Sequence, residues 1–200
     1  MVALVAHRRG RRGLYAAGKT VASAGFLAVA LAGGLPDAGW ARAMLVALAA
    51  SAVGDVVLAG RGTAAFVAGL GAFTAAHATF AAAFVALTAQ PVASLLAGGV
   101  AAVGAVPAWR AVRSRWTVPT RLRTAVAGYL GLVLVMIGLA VVAAGTNGRW
   151  GLAVGAVLVG GSDLAVARER FGRASFANKL VGLPTYYAGQ VLLALQVLGG

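Results

Sequence analysis

Two aspartates sit where a membrane protein can least easily hold them. The chain has only 4 acidic residues in 200. Asp55 lies in Ser51-Ala52-Val53-Gly54-Asp55-Val56-Val57-Leu58, and Asp163 in Gly161-Ser162-Asp163-Leu164-Ala165. A carboxylate inside a span costs roughly 2.5–3.5 kcal/mol on insertion scales, so such residues face a bundle interior and mark function. The other two acids are ordinary: Asp37 falls in a loop and Glu169 at a basic helix end. Lys19 is the third ionisable group inside an apolar run. A lysine beside one aspartate is a buried ion pair that fixes packing. Two acids, one lysine and a cluster of hydroxyl and amide side chains favour a functional cavity instead.

The candidate partners are Tyr129, Thr185, Tyr186 and Gln190, with Ser51 and Ser162 adjoining the acids. His77, alone on an apolar stretch, reads first as a hydrogen-bonded core residue and second as a site residue. Asp55, Asp163 and His77 have no metal-ligand spacing, so no metal is expected. No cofactor is expected either, because phosphate loops and nucleotide fingerprints are missing from the sequence. Ser51 has no histidine base near it in the sequence, which argues against a serine hydrolase. With 0 cysteines, thiol catalysis is excluded.

The elements that must hold these residues are transmembrane helices. Apolar residues make up 61% of the chain and charged residues 10%, and the mean hydropathy is +0.91. A soluble core has no use for that much apolar surface. The spacing of apolar runs predicts an all-α, polytopic helix bundle occupying residues 1–200 as one transmembrane domain. Seven spans are expected, roughly 15–34, 40–59, 63–88, 92–109, 122–144, 148–168 and 178–198. The breaks carry turn signals: Gly33-Gly34-Leu35-Pro36-Asp37, Gln90-Pro91, the arginine-rich stretch from Arg110 to Arg123, and Thr146-Asn147-Gly148. The 29 glycines suit close helix approach in a membrane.

Net charge is +13, but the basic residues lie in short clusters between spans rather than on one soluble face. Membrane topology, not nucleic acid, accounts for them. With a cytoplasmic N-terminus, one side holds Arg8, Arg9, Arg11, Arg12, Arg61, Arg110, Arg113, Arg115, Arg121, Arg123, Arg168, Arg170, Arg173 and Lys179. The other side holds Arg42 and Arg149. That asymmetry supports both the orientation and the count of seven spans, and a plasma-membrane location is expected. The first apolar run is long and lacks a small-x-small cleavage site, which argues against a signal peptide.

In this topology Lys19 and Asp55 lie roughly 6 Å inside the basic edge and Asp163 about 7 Å. Tyr129, Thr185 and Tyr186 enter from the same side, slightly deeper. Five helices thus place polar groups in one layer.

These residues also fall in recognisable motifs. The Asp55 and Asp163 segments, Phe66-Val67-Ala68-Gly69-Leu70-Gly71-Ala72-Phe73 with His77, and Leu183-Pro184-Thr185-Tyr186-Tyr187-Ala188-Gly189-Gln190 resemble the YhhN family of lysoplasmalogenase-like membrane proteins. The order and spacing match over almost the whole chain. Lys19 matches an early family lysine, followed here by Thr20 where proline is frequent, and Tyr129 and Met136 match a weaker motif. One departure is that the family pattern has eight spans, with a helix before the lysine; here a short basic segment stands in that place.

The resemblance implies hydrolysis of the vinyl ether of a lysoplasmalogen to a fatty aldehyde and glycerophospho-ethanolamine or -choline. Asp55 and Asp163 would be the acid–base pair, kept in opposite protonation states by low dielectric and mutual repulsion. Lys19 would hold phosphate or bias the pair, while Thr185, Tyr186 and Gln190 would orient glycerol and water. The expected partners are a lysophospholipid and membrane lipid. Two alternatives are a proton-coupled transporter or lipid-binding protein, and a hydrolase of another lipid ether or ester.

Overall fold

The protein is described from a computed structural model, in which Leu4, residues 12–60 and residues 62–198 are described. Among these residues the elements are seven α-helices and one 3-10 turn. They are α1 (Arg12–Leu31), α2 (Gly39–Leu58), α3 (Gly62–Thr88), α4 (Pro91–Arg115), α5 (Arg123–Asn147), α6 (Trp150–Phe171) and α7 (Phe176–Val197). All seven regions are long and apolar enough to cross a bilayer. The chain is a multi-pass helical membrane protein, as its hydropathy predicts. Arg8, Arg9, Arg11 and Arg61, which count toward the charge asymmetry, lie outside the described residues.

The expected span edges shift in places, for physical reasons. α4 runs to Arg115 rather than ending near residue 109, because arginines in a last turn complement the helix dipole and their side chains reach the headgroups. The stretch from Arg110 to Arg123 is therefore mostly helix, with a short connection and the turn Thr120–Leu122. α1 stops at Leu31; Gly34 takes a left-handed φ of 92° in the turn that follows. Gly148 caps α5 with a φ of 68°, as the Thr-Asn-Gly signal predicts.

Six helices close into a ring. In order around it, α1 touches α2, α2 touches α3, α3 touches α5, α5 touches α6, α6 touches α7, and α7 returns to α1. α7 also crosses to α2. α4 stands outside the ring on α5, and Val92, Leu95, Leu96, Val100 and Val103 are exposed along it. An apolar helix with that much bare surface is stable only against lipid.

The ring closes tightly where glycines permit it. A Cβ on Gly189 would stand 2.8 Å from the carbonyl oxygen of Gly155, so α6 and α7 meet backbone to backbone. A Cβ on Gly54 would stand 2.7 Å from the Phe73 ring, so that glycine lets Phe73 pack beside Asp55. The core between the helices holds Phe26, Met44, Leu48, Phe80, Phe84, Met136, Leu152 and Leu193.

A smaller apolar cluster, with Val118, Leu122, Val126 and Phe171 at its centre, closes the arginine-rich end. There the Glu169 carboxylate accepts from the Ser175 backbone N–H at 2.9 Å and from Asn178 Nδ2 at 2.9 Å, and it pairs with Lys179. Glu169 thus ties the α6–α7 connection together. Trp40 and Trp150 lie at one end of the bundle and Trp109 and Trp116 at the other, the placement expected of aromatic belts.

Candidate functional site

Every helix of the ring sends a polar or aromatic side chain inward at overlapping depth. The residues are Lys19 and Ser23 (α1), Asp55 (α2), Phe73 and His77 (α3), Tyr129 (α5), Asp163 (α6), and Tyr186, Tyr187 and Gln190 (α7). Helices α2 and α6 make no close backbone approach, and each aspartate has its own set of partners.

Asp55 is held by a cation. Lys19 Nζ lies 3.1 Å from Asp55 Oδ1, with side chains only 7% and 3% exposed. The Ser23 hydroxyl donates to Asp55 Oδ2 at 2.6 Å. A buried charge persists only when paired and hydrogen-bonded, and both conditions are met. Lys19 and Ser23 are one turn apart, so they present one face of α1 to the acid. Tyr15, Tyr186 and Tyr187 lie within electrostatic reach of the same carboxylate. The Tyr187 hydroxyl donates to the Lys19 carbonyl at 3.2 Å, which fixes α1 against α7.

Among the described residues no lysine or arginine pairs with Asp163. The Tyr129 hydroxyl donates to its Oδ2 at 2.9 Å, and His77 Nε2 lies 3.5 Å from the same oxygen, with the Asp163 side chain 20% exposed. His77 Nδ1 is 2.6 Å from the Phe73 carbonyl oxygen. A carbonyl oxygen only accepts, so Nδ1 carries a hydrogen and Nε2 is the nitrogen left to face Asp163. Nε2 forms no well-directed hydrogen bond, and the Asp163 carboxylate 3.5 Å away is the acid beside it. His77 is thus a member of the site rather than a bystander in the core.

Aromatic rings join the two halves. His77 stands edge-on to Tyr129 at 5.3 Å, and Phe73 edge-on to Tyr186 at 5.9 Å. Tyr186 in turn packs on Tyr187 at 4.9 Å. Phe73 lies one turn from His77 on α3, with their rings 6.4 Å apart, so an unbroken run of ring contacts links Tyr129 to Tyr187.

Three expected site hydroxyls take no part in this network. Ser51 donates to the Ala47 carbonyl at 2.9 Å, Ser162 to Val159 at 2.6 Å, and Thr185 to Val181 at 2.8 Å. Each satisfies itself on its own helix, the usual recourse of a hydroxyl in an apolar span. Ser23 and Tyr187 were not read from the sequence as site residues. The signal for Ser23 was its place one turn from Lys19. Tyr187 carries no signal in the sequence that separates it from a packing residue. Among the described residues no cluster of three or more metal-ligating side chains forms.

The sequence model of the YhhN family matches residues 14–197, a stretch that contains every group named above. No curated protein and no solved structure matches the chain.

Proposed function

Since the chain belongs to the YhhN family, which includes lysoplasmalogenases, we propose that it is a membrane hydrolase cleaving the vinyl ether bond of a lysoplasmalogen. The observation that carries this reading is the contrast between the acids: Asp55 is ion-paired to Lys19, while Asp163 accepts from Tyr129 and lies beside His77. Vinyl ether hydrolysis needs a proton donor and a fixed negative charge.

Proton transfer from the Asp163–His77 pair to the alkenyl carbon remote from oxygen forms a C–H bond from the double-bond electrons. The adjacent carbon and the ether oxygen then share the positive charge. This is the same type of cation that a carboxylate pair handles in glycoside hydrolysis. The Asp55 carboxylate, ionised before the reaction starts, stabilises that charge in a low-dielectric interior. Water adds to the cationic carbon, and its proton returns to the Asp163–His77 pair, now the base. The hemiacetal collapses to a fatty aldehyde and a free glycerol hydroxyl. One water is consumed and the pair ends in its starting state.

Lys19 is neutralised by Asp55, so the arginines at the same end of the bundle are the better phosphate contacts. They place the headgroup in the basic interface and the alkenyl chain among the apolar helix faces. We assign that end to the cytoplasmic side of the plasma membrane, since basic residues gather there.

Purified protein with lysoplasmalogen in deuterated water tests the reaction by mass spectrometry of products. One deuterium on the aldehyde carbon next to the carbonyl is the expected outcome. Release of fatty acid, or proton-coupled uptake into liposomes without any product, would sink the proposal.

A further inference from the structure

Three of the most buried polar groups in the ring make no hydrogen bond to another protein group. They are both amide atoms of Gln190 and the hydroxyl of Tyr186. Gln190 is fully buried and Tyr186 is 6% exposed. The Tyr186 hydroxyl lies near Asp55 and Gln190 but forms a well-directed bond to neither. The Ser94 hydroxyl and His77 Nε2 are also without a hydrogen bond, but Ser94 stands on α4 outside the ring and His77 faces Asp163; the buried serines of the ring are satisfied. Ser51 and Ser162 turn back to their own helices and Ser23 reaches Asp55.

Buried donors and acceptors of this kind are costly unless something completes them. Gln190 follows Tyr186 by one turn on α7, so both groups face the same interior. Together they offer amide N–H donors, a carbonyl acceptor and a phenol that does either. The nearby charge, Asp55, is already compensated by Lys19. The complement is therefore neutral, gives one hydrogen bond and takes one or more. An alcohol hydroxyl fits.

We propose that Gln190 and Tyr186 form a seat for the free glycerol hydroxyl of a single-chain ether lipid, and that this seat sets specificity. The assignment rests on the hydrolase reading, since it puts this hydroxyl beside the ether to be cleaved. A second acyl chain on that oxygen removes the donor and brings bulk against a closed α6–α7 contact. A site built to bond a hydroxyl rejects an analogue lacking it far more strongly than an apolar pocket rejects a missing methylene.

The test compares 1-alkenyl-glycerophosphoethanolamine with its 2-deoxy analogue, and their non-hydrolysable 1-alkyl counterparts, on wild-type protein, Gln190→Leu and Tyr186→Phe. Wild-type protein is expected to favour the hydroxyl substrate by roughly 10²-fold or more in kcat/KM. In Gln190→Leu that preference falls to near unity, and Tyr186→Phe lowers it in part. The alkyl pair, read by ligand-induced thermal shift, shows the same discrimination without turnover. If that binding preference appears while no aldehyde is ever released, the seat stands and the hydrolase reading fails. Equal losses for both substrates in Gln190→Leu overturn the seat, and so does a wild-type protein blind to the hydroxyl. Gln190→Leu is expected to fold, because it replaces an uncompensated amide with a side chain of similar volume. Tyr186→Phe gives the same readout independently.

Discussion

Asp55 and Asp163 are the same side chain on two helices that face each other across one ring, yet the bundle treats them in opposite ways. At Asp55 the protein supplies a full cation, a short hydroxyl bond and near-complete burial. At Asp163 it supplies a phenol, a histidine whose other nitrogen is already committed, and partial access. The first arrangement locks a charge in place. The second gives the carboxylate a phenol and a neighbouring imidazole. The difference between the two acids comes from what each helix brings to its neighbour.

The largest effect should come from unpairing the locked charge. Asp55→Asn leaves the Lys19 ammonium buried without its partner, which should cost about 3–5 kcal/mol of stability. Lys19→Met should cost a similar amount. The double variant Lys19→Met/Asp55→Leu should recover much of that loss without recovering turnover. Thermal unfolding in detergent across this set checks the claim, and additive losses would show that the ion pair is not a unit.

Next in size is His77. His77→Gln removes the imidazole beside Asp163 while keeping a polar side chain, and should lower aldehyde release about 10²-fold with little change in melting temperature. Equal damage to stability would return His77 to a packing role. Tyr129→Phe should do less. It removes one hydrogen bond to Asp163, worth about 1 kcal/mol, and a roughly several-fold drop in kcat is expected with the melting temperature nearly unchanged.

The sequence already carried much of this arrangement. Seven spans, their turns, the polar layer and the two acids follow from hydropathy, glycine and proline placement, and the cost of charge in a bilayer. The pairing of acids with partners does not. Hydropathy marks which segments cross but not which cross side by side, so α4's place outside the ring and the Lys19–Asp55 pairing are properties of packing. Ser51, Ser162 and Thr185 show the converse limit. Residue type and depth suit them to a site, but a hydroxyl in a span satisfies itself on the preceding turn as readily as it reaches a ligand. Ser23 escapes that fate because it shares a helix face with Lys19. Gln190 stood out in sequence as an amide side chain inside the last span. Only its burial without a protein partner separates it from Thr185.

The most direct test of the proposed chemistry is the rate of aldehyde release by Asp163→Asn, measured against wild-type protein at equal folded concentration. Asparagine keeps the shape and the Tyr129 hydrogen bond but neither gives nor takes the proton. A fall of at least 10²-fold, with an unchanged melting temperature, is the expected result. A variant that releases aldehyde within a few-fold of the wild-type rate would contradict the assignment of Asp163 as the proton donor.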